Sequence, residues 1–419
     1  MELKLAYGDQ IVTTEVLEKN FLGTLLPNEL PSVKDENLEI QRAINNPIKS
    51  PKLEKIIKPN MRVSILADDH TRGTPSYLVM PHILSKLNDL KVPDENITAI
   101  FGCGTHRCVM PGEAEFLIGK ETIKRIRIES HDCHAEDLVN IGKTSYGNEI
   151  KINSIVANSD AIITIGKLGY HYYAGFTGGR KSVLPGISSY ETINFNHAML
   201  IHPKAATGNL EGNPVHKDMV EAARLAKVDF IINLVKDSKE KMIKTFAGDL
   251  EAAHLEGTKL YDKMFRVTTQ KRPDIVLLSA GGYPKDIDLY QGSKAIDNSK
   301  FLVRPGGVII ALLECREGVG NEVYTEWSKK YRTLEELEKQ IKTNFVLGGH
   351  KAYYMEKVLL NSKVILVSEM SDKEVKEIYK LKPSSNVDDA LEMAYNIVGR
   401  NASLMSMPYG TMTLPRVKN

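Results

Sequence analysis

The sequence predicts an α/β protein of two domains with mostly parallel sheets. Three observations carry that prediction: short runs of branched aliphatic residues recur, helix-like segments lie between many of them, and several runs end in polar, glycine-rich clusters. Strands that stay apolar along their whole length, rather than alternating, are those covered on both faces by crossover helices.

The strand candidates are, in order, Arg62 to Ala67 (RVSILA), Ile97 to Gly102 (ITAIFG), Asp160 to Gly166 (DAIITIG) and Asp229 to Val235 (DFIINLV). Asp274 to Ser279 (DIVLLS), Gly307 to Glu314 (GVIIALLE) and Lys363 to Ser368 (KVILVS) follow. Helical segments run from Ser76 to Leu87 and from His216 to Ala226. The polar stretch TTQKRP at 268–273 separates the first four strands from the last three and marks a domain boundary. Residues 1–268 are expected to form the first domain and residues 269–396 the second, with 397–419 a segment that can return to the first.

Bulk properties narrow the function. A chain of 419 residues with 55 Lys and Arg against 53 Asp and Glu has a formal charge of only +2, so it carries no electrostatic footprint for nucleic acid or an anionic membrane. Its first twenty residues hold charges throughout, unlike a signal peptide, and no run reaches the length of a membrane span. Four cysteines without a CxxC pair do not make a disulfide framework, so a reducing cytoplasm is expected.

Ligands of open α/β sheets sit outside the carboxyl ends of strands, and four strands here run straight into chemistry-bearing turns. RVSILA leads into DDHTRGTPS, with Asp69 and Arg72; ITAIFG leads into CGTHRC, with His106. DAIITIG leads into GYHYYAGFTGGRKSVLPG, and DIVLLS into AGGYPKDIDLYQGSKA, with Tyr290, Gln291 and Lys294. Asp69 with Arg72 also reads as a helix cap and exposed ion pair, and His106 as a turn cap. His70, His131, His134 and His216 read as structural. The segment GFTGGRKS fails the phosphate-loop pattern GxxxxGK[ST] by register, since Arg180 stands where the second glycine belongs. Gly178 and Gly179 still let backbone N–H groups approach an anion, and Arg180 and Lys181 supply charge.

Taken together, DDHTRGTPS, GTHR, HYYAGFTGGRKSVLPGI, the Asn196–His197 pair and GGYPKDIDLYQGSKA resemble the lactate racemase family over essentially the whole chain. The resemblance implies a site in the cleft between two α/β domains. It also implies a nickel-pincer nucleotide, pyridinium-3-thioamide-5-thiocarboxylic acid mononucleotide, joined covalently to Lys181, with His197 as nickel ligand. His106 and His171 would be acid and base, Arg72 would receive the substrate carboxylate, and Asp69, Gly178, Gly179, Arg180, Tyr290, Gln291 and Lys294 would surround the cofactor. Tyr173, Gln291, Lys294 and His350 would adjoin a small 2-hydroxy acid. Proteins that build and deliver the cofactor are implied partners. The chemistry is consistent: the C2 proton of a 2-hydroxy acid is far too weakly acidic for a histidine. Hydride transfer to an electron-poor ring removes the need for a carbanion and leaves only the hydroxyl proton for a base.

Two departures bear on the substrate. Lactate-specific members carry a tryptophan in the second domain where this chain has Gly349, His350 or Lys351, while its own Trp327 (TEWSKK) reads as an exposed helix face. Tyr173 stands where the family has phenylalanine. The expected activity is therefore a racemase or epimerase, an isomerase acting on lactate or a larger, more polar homologue such as malate or a sugar acid. Two other classes remain open: a zinc-dependent hydrolase or lyase using Asp69, His106, His171 and His197, and a non-catalytic carboxylate-binding protein.

Overall fold

The computed structural model describes residues 1–418. They divide into two compact units, one of Glu29–Asp262 and one of Met1–Asn28 with the chain from Lys263 onward.

The first unit is built on a six-stranded sheet. Its strands are β1 (Val63–Asp68), β2 (Ile97–Gly102), β3 (Arg127–Ser130), β4 (Ala161–Lys167), β5 (Phe230–Lys236) and β6 (Met242–Gly248), in the order β6-β5-β4-β1-β2-β3. All neighbours run parallel except β5 and β6. Ile65, Ile163 and Ile232 are wholly buried in the middle of β1, β4 and β5, each burial stabilising by about 1.5–3 kcal/mol. Helix α1 (Ser76–Asp89) lays Val79, Met80, Ile83, Leu84 and Leu87 into the same core. After β2 and β3 the chain crosses back to place β4 on the other side of β1, so β1 and β4 flank a topological switch point. The loops at their carboxyl ends open there. Three further helices support those loops: α2 (Tyr190–Ala198), α3 (Pro214–Leu225) and α4 (Ala252–Phe265).

The second unit has its own sheet of β7 (Ile275–Ser279), β8 (Gly307–Leu312), β9 (Ser362–Val367), β10 (Lys382–Ser384) and β11 (Leu404–Met407), ordered β10-β9-β8-β7-β11 and parallel throughout. The strand Phe21–Thr24 extends its edge beside β11. An N-terminal hairpin, Glu2–Tyr7 with Gln10–Glu15, sends Leu3 and Leu5 into this core. Helices α5 (Leu289–Ser299) and α6 (His350–Leu359) belong to the same unit.

All seven strands expected from sequence are strands here, and both helical segments are helices. The division of the chain differs at both ends. Residues 1–28 do not join the first unit: their apolar positions complete the second core and Phe21–Thr24 pairs with β11. The C-terminal segment does not return to the first unit either, because β11 pairs with β7 and Leu414–Val417 pairs with Arg266–Thr269. That last pairing also turns part of the presumed linker into a strand. Among the described residues, no helix is long and apolar enough to cross a membrane.

Candidate active site

At the end of β1 two adjacent carboxylates take different roles. Asp68 is half-buried, accepting from Thr74 Oγ1 (2.5 Å) and from the Lys167 N–H (3.4 Å). Burial raises its pKa. Asp69 is 2 % exposed, and its Oδ2 lies 2.6 Å from His106 Nδ1 while Thr71 donates to Oδ1 through both N–H and hydroxyl. Burial alone would raise the Asp69 carboxyl. The hydrogen bond with His106 and the Arg72 charge outweigh it and hold the group at about 2. The ion-pair reading of Asp69 with Arg72 is thereby replaced: the carboxylate orients His106, which is one-third exposed. Helix α1 starts from Pro75 with no side-chain cap.

Beyond β4 the glycine-rich loop packs against the sheet. Gly178 adopts φ 80°, and a Cβ there would meet Asn233 Oδ1 at 2.6 Å, the same atom that accepts from the Gly179 N–H at 3.0 Å. Arg180 does not point outward as an anion contact. Its guanidinium donates to Ala174 O (2.7 Å), Gly178 O (3.1 Å), His216 Nδ1 (3.0 Å) and His254 Nε2 (2.8 Å), and its side chain is wholly buried. Burial brings the guanidinium down to about 9, which leaves it charged at neutral pH. Burial together with that charge pushes His216 down to about 3 and His254 well below the usual histidine range.

Lys181, the next residue, is also buried, at 8 % exposure. Burial, then the charges of Arg72 and Arg180, hold its amine well below the ordinary lysine range, with Asp68 opposing them. Burial, Lys181 and Arg72 likewise keep His197 uncharged. The ring of Tyr173 stands edge-on to both His171 (centroids 4.4 Å apart) and His197 (5.0 Å), and Tyr172 stacks on His171 at 5.0 Å. His171 Nδ1 accepts from the Ala174 N–H at 3.3 Å. The Gly104 N–H donates to Gly186 O (2.9 Å), tying the His106 turn to the segment after Lys181. Arg72, half-buried, acts electrostatically on Asp68, Asp69, Lys181 and His197. One unit thus gathers His106, Arg72, His171, Tyr173, Lys181 and His197.

The second unit forms a separate cluster. Asp288 caps α5, and Lys294 Nζ donates to Gln291 Oε1 at 2.6 Å. Lys351, on α6, is 3 % exposed and donates to Ser293 Oγ at 3.0 Å, its amine 4.7 Å from the centre of the Tyr290 ring. Burial and then Lys294 hold that amine well below the usual range. His350 is buried in the packing of its own unit, Nδ1 accepting from the Gly348 N–H (3.2 Å) and the ring against Tyr290 and Phe345. Trp327 is not on an exposed face: it is 6 % exposed and fills the space where a side chain on Gly349 would be.

Sequence reasoning missed the residues that hold the site: Asn233, His254, Asn196 as an acceptor, and Asp218. Asn233 left a signal, a lone amide inside the otherwise apolar FIINLV, where an unpaired polar group is costly.

Comparison with known proteins agrees with the geometry. A family model described as the lactate racemase N-terminal domain matches residues 7–208, and one described as the C-terminal domain matches residues 268–414. A lactate racemase from Thermoanaerobacterium thermosaccharolyticum is 31% identical, the match covering 99% of each chain. One from Lactiplantibacillus plantarum is 33% identical over 97% of this chain and 98% of its own. The solved lactate racemase apoprotein from the former organism superposes with a TM-score of 0.91 at 30% identity, covering 99% of this chain and 100% of that one. A Thermotoga maritima protein of known structure shares the fold, with a TM-score of 0.66 at 20% identity over 87% of this chain and 96% of its own.

Proposed function

The chain belongs to the lactate racemase family, and from that premise we propose that it is an isomerase inverting C2 of a 2-hydroxy acid on a nickel-pincer nucleotide tethered to Lys181. The observation that carries the reading is Lys181 itself. Burying a lysine amine opposes folding, and the lowered pKa raises the share of free amine able to act as a nucleophile toward an acyl or thioacyl group.

The residues present fit the group. Lys181 would hold it covalently, and His197, an uncharged buried imidazole, would give nickel a nitrogen donor. Gly178 and Gly179 let the loop that carries Lys181 pack directly against Asn233 and His254. When bound, the nucleotide would supply an electron-poor centre able to accept hydride.

The chain's own residues handle the proton and the charges. Asp69 accepts from His106 Nδ1–H, so the lone pair sits on Nε2 and that atom takes the hydroxyl proton of one enantiomer. His171, stacked on Tyr172 and edge-on to Tyr173, would exchange the hydroxyl proton of the other enantiomer. Arg72 anchors the carboxylate as a permanent cation. Within the second unit, the polar cluster of Gln291, Lys294 and Lys351 would favour a substrate more polar than lactate. The zinc reading lacks support, since no three His, Cys, Asp or Glu among the described residues come together as a metal site.

The test is intact-protein mass with nickel analysis after co-expression with the cofactor-building proteins. A nucleotide adduct on the Lys181 peptide with near-stoichiometric nickel is expected, and none in Lys181→Ala; an adduct-free wild-type chain would overturn the reading. In loaded protein, His106→Ala and His171→Ala should each lower kcat by about 10²-fold or more while nickel stays bound. Chiral chromatography of lactate, malate and sugar-acid reactions then identifies the substrate.

A further inference from the structure

We infer that Asn196 and Asp218 are positioning residues that hold the His197 ring with its proton on Nδ1, presenting Nε2 as the metal-binding atom. The inference rests on the reading that His197 is the nickel ligand, and it concerns what prepares that ligand.

Asn196 and His197 are consecutive on α2, and Asn196 is wholly buried. Its amide nitrogen donates to Val215 O at 3.1 Å and to Asp218 Oδ2 at 2.8 Å. Both partners are acceptors only, so turning the amide over would set its oxygen against two oxygens. The oxygen end therefore faces His197 Nδ1, 3.1 Å away, and only a ring N–H satisfies it. With the proton on Nδ1, the lone pair of the neutral ring lies on Nε2.

Asp218, on α3, is itself fixed. Thr144 Oγ1 donates to its Oδ1 at 2.6 Å, and Asn148 Nδ2 to its Oδ2 at 2.8 Å, beside the bond from Asn196. Thr144 and Asn148 lie in the turn region of the hairpin Val139–Lys143 with Glu149–Ile152. Three donors and no cation among these bonds leave the carboxylate one arrangement, and that arrangement sets the amide, which sets the imidazole. Groups that orient a metal-binding histidine through its second nitrogen typically contribute 10- to 100-fold in metal affinity.

The first measurement needs no cofactor. Long-range proton–nitrogen correlation on apo protein with 15N-labelled histidine, His197 assigned by comparison with His197→Gln, should show the Nδ1–H tautomer; the Nε2–H pattern would overturn the inference. The second uses loaded protein. Asn196→Leu and Asp218→Ala should keep the Lys181 adduct, yet release nickel to a chelator about 10- to 100-fold faster. Release within twofold of the wild type, in variants that retain a cooperative melt, would reduce the network to a purely structural one. A wild-type chain that binds no nickel in a competent host would sink the proposed function, and the apo tautomer would still decide this one.

Discussion

A buried lysine amine with a lowered pKa holds its proton less tightly in the folded chain than in the unfolded one, which opposes folding. Its folded pKa is depressed, so this cost is absent well above the unfolded value near 10.5, grows as pH falls toward the folded one and is full below it. Lys181→Met in apo protein should therefore raise the melting midpoint at pH 7, by roughly 2 °C or more, while abolishing attachment; calorimetry decides, and an unchanged or lower midpoint counts against the lowered amine pKa. Asp69 has the opposite sign. Held at about 2 against an ordinary 3.8, it contributes stability that is complete above pH 4 and is lost as pH falls toward 2. Asp69→Asn should lower stability at pH 7 by about 2 kcal/mol at most, with the gap to wild type closing in acid. The types and positions of these residues were legible in the sequence; their partners were not. That Asp69 serves His106, thirty-seven residues away, and that Arg180 turns inward depend on contacts made only when distant segments pack.

The loop around Arg180 behaves as one element. Its guanidinium binds carbonyls of the loop itself and reaches His216 on α3 and His254 on α4, so a single side chain pins the backbone between His171 and Lys181. Arg180→Met should destabilise apo protein by about 3 kcal/mol, measured by denaturant unfolding, since buried acceptors lose their donor. Gly178→Ala should cost about 1–3 kcal/mol, because it combines a positive φ with a Cβ pressed into Asn233. Element by element, the apolar runs announced their strands because burial on both faces demands apolar side chains throughout. Strands that escaped were short or mixed: β3 reads RIES, and β6 (MIKTFAG) carries a lysine and a glycine. Edge positions need less apolar surface, so their sequences look like loops.

At the scale of the whole molecule, the second unit is made from both ends of the chain and the first from its middle. Deleting residues 1–28 should lower the thermal transition of the second unit alone, as Leu3, Leu5 and the strand beside β11 leave its core and edge; a shift of both transitions in calorimetry would show the units to be energetically inseparable. The expected boundary lay at the polar stretch 268–273, the units divide after Asp262, and residues 1–28 join the second unit because the partner of Phe21–Thr24 lies at Leu404–Met407, a pairing nothing local marks. That arrangement also has a consequence in time. Synthesis runs from the first residue to the last at about 5–20 residues per second, so the middle unit is complete roughly ten to thirty seconds before the last strand of the other emerges. During that interval the first twenty-eight residues wait without the strand they will border, while the glycine loop and Lys181 already stand on a finished sheet.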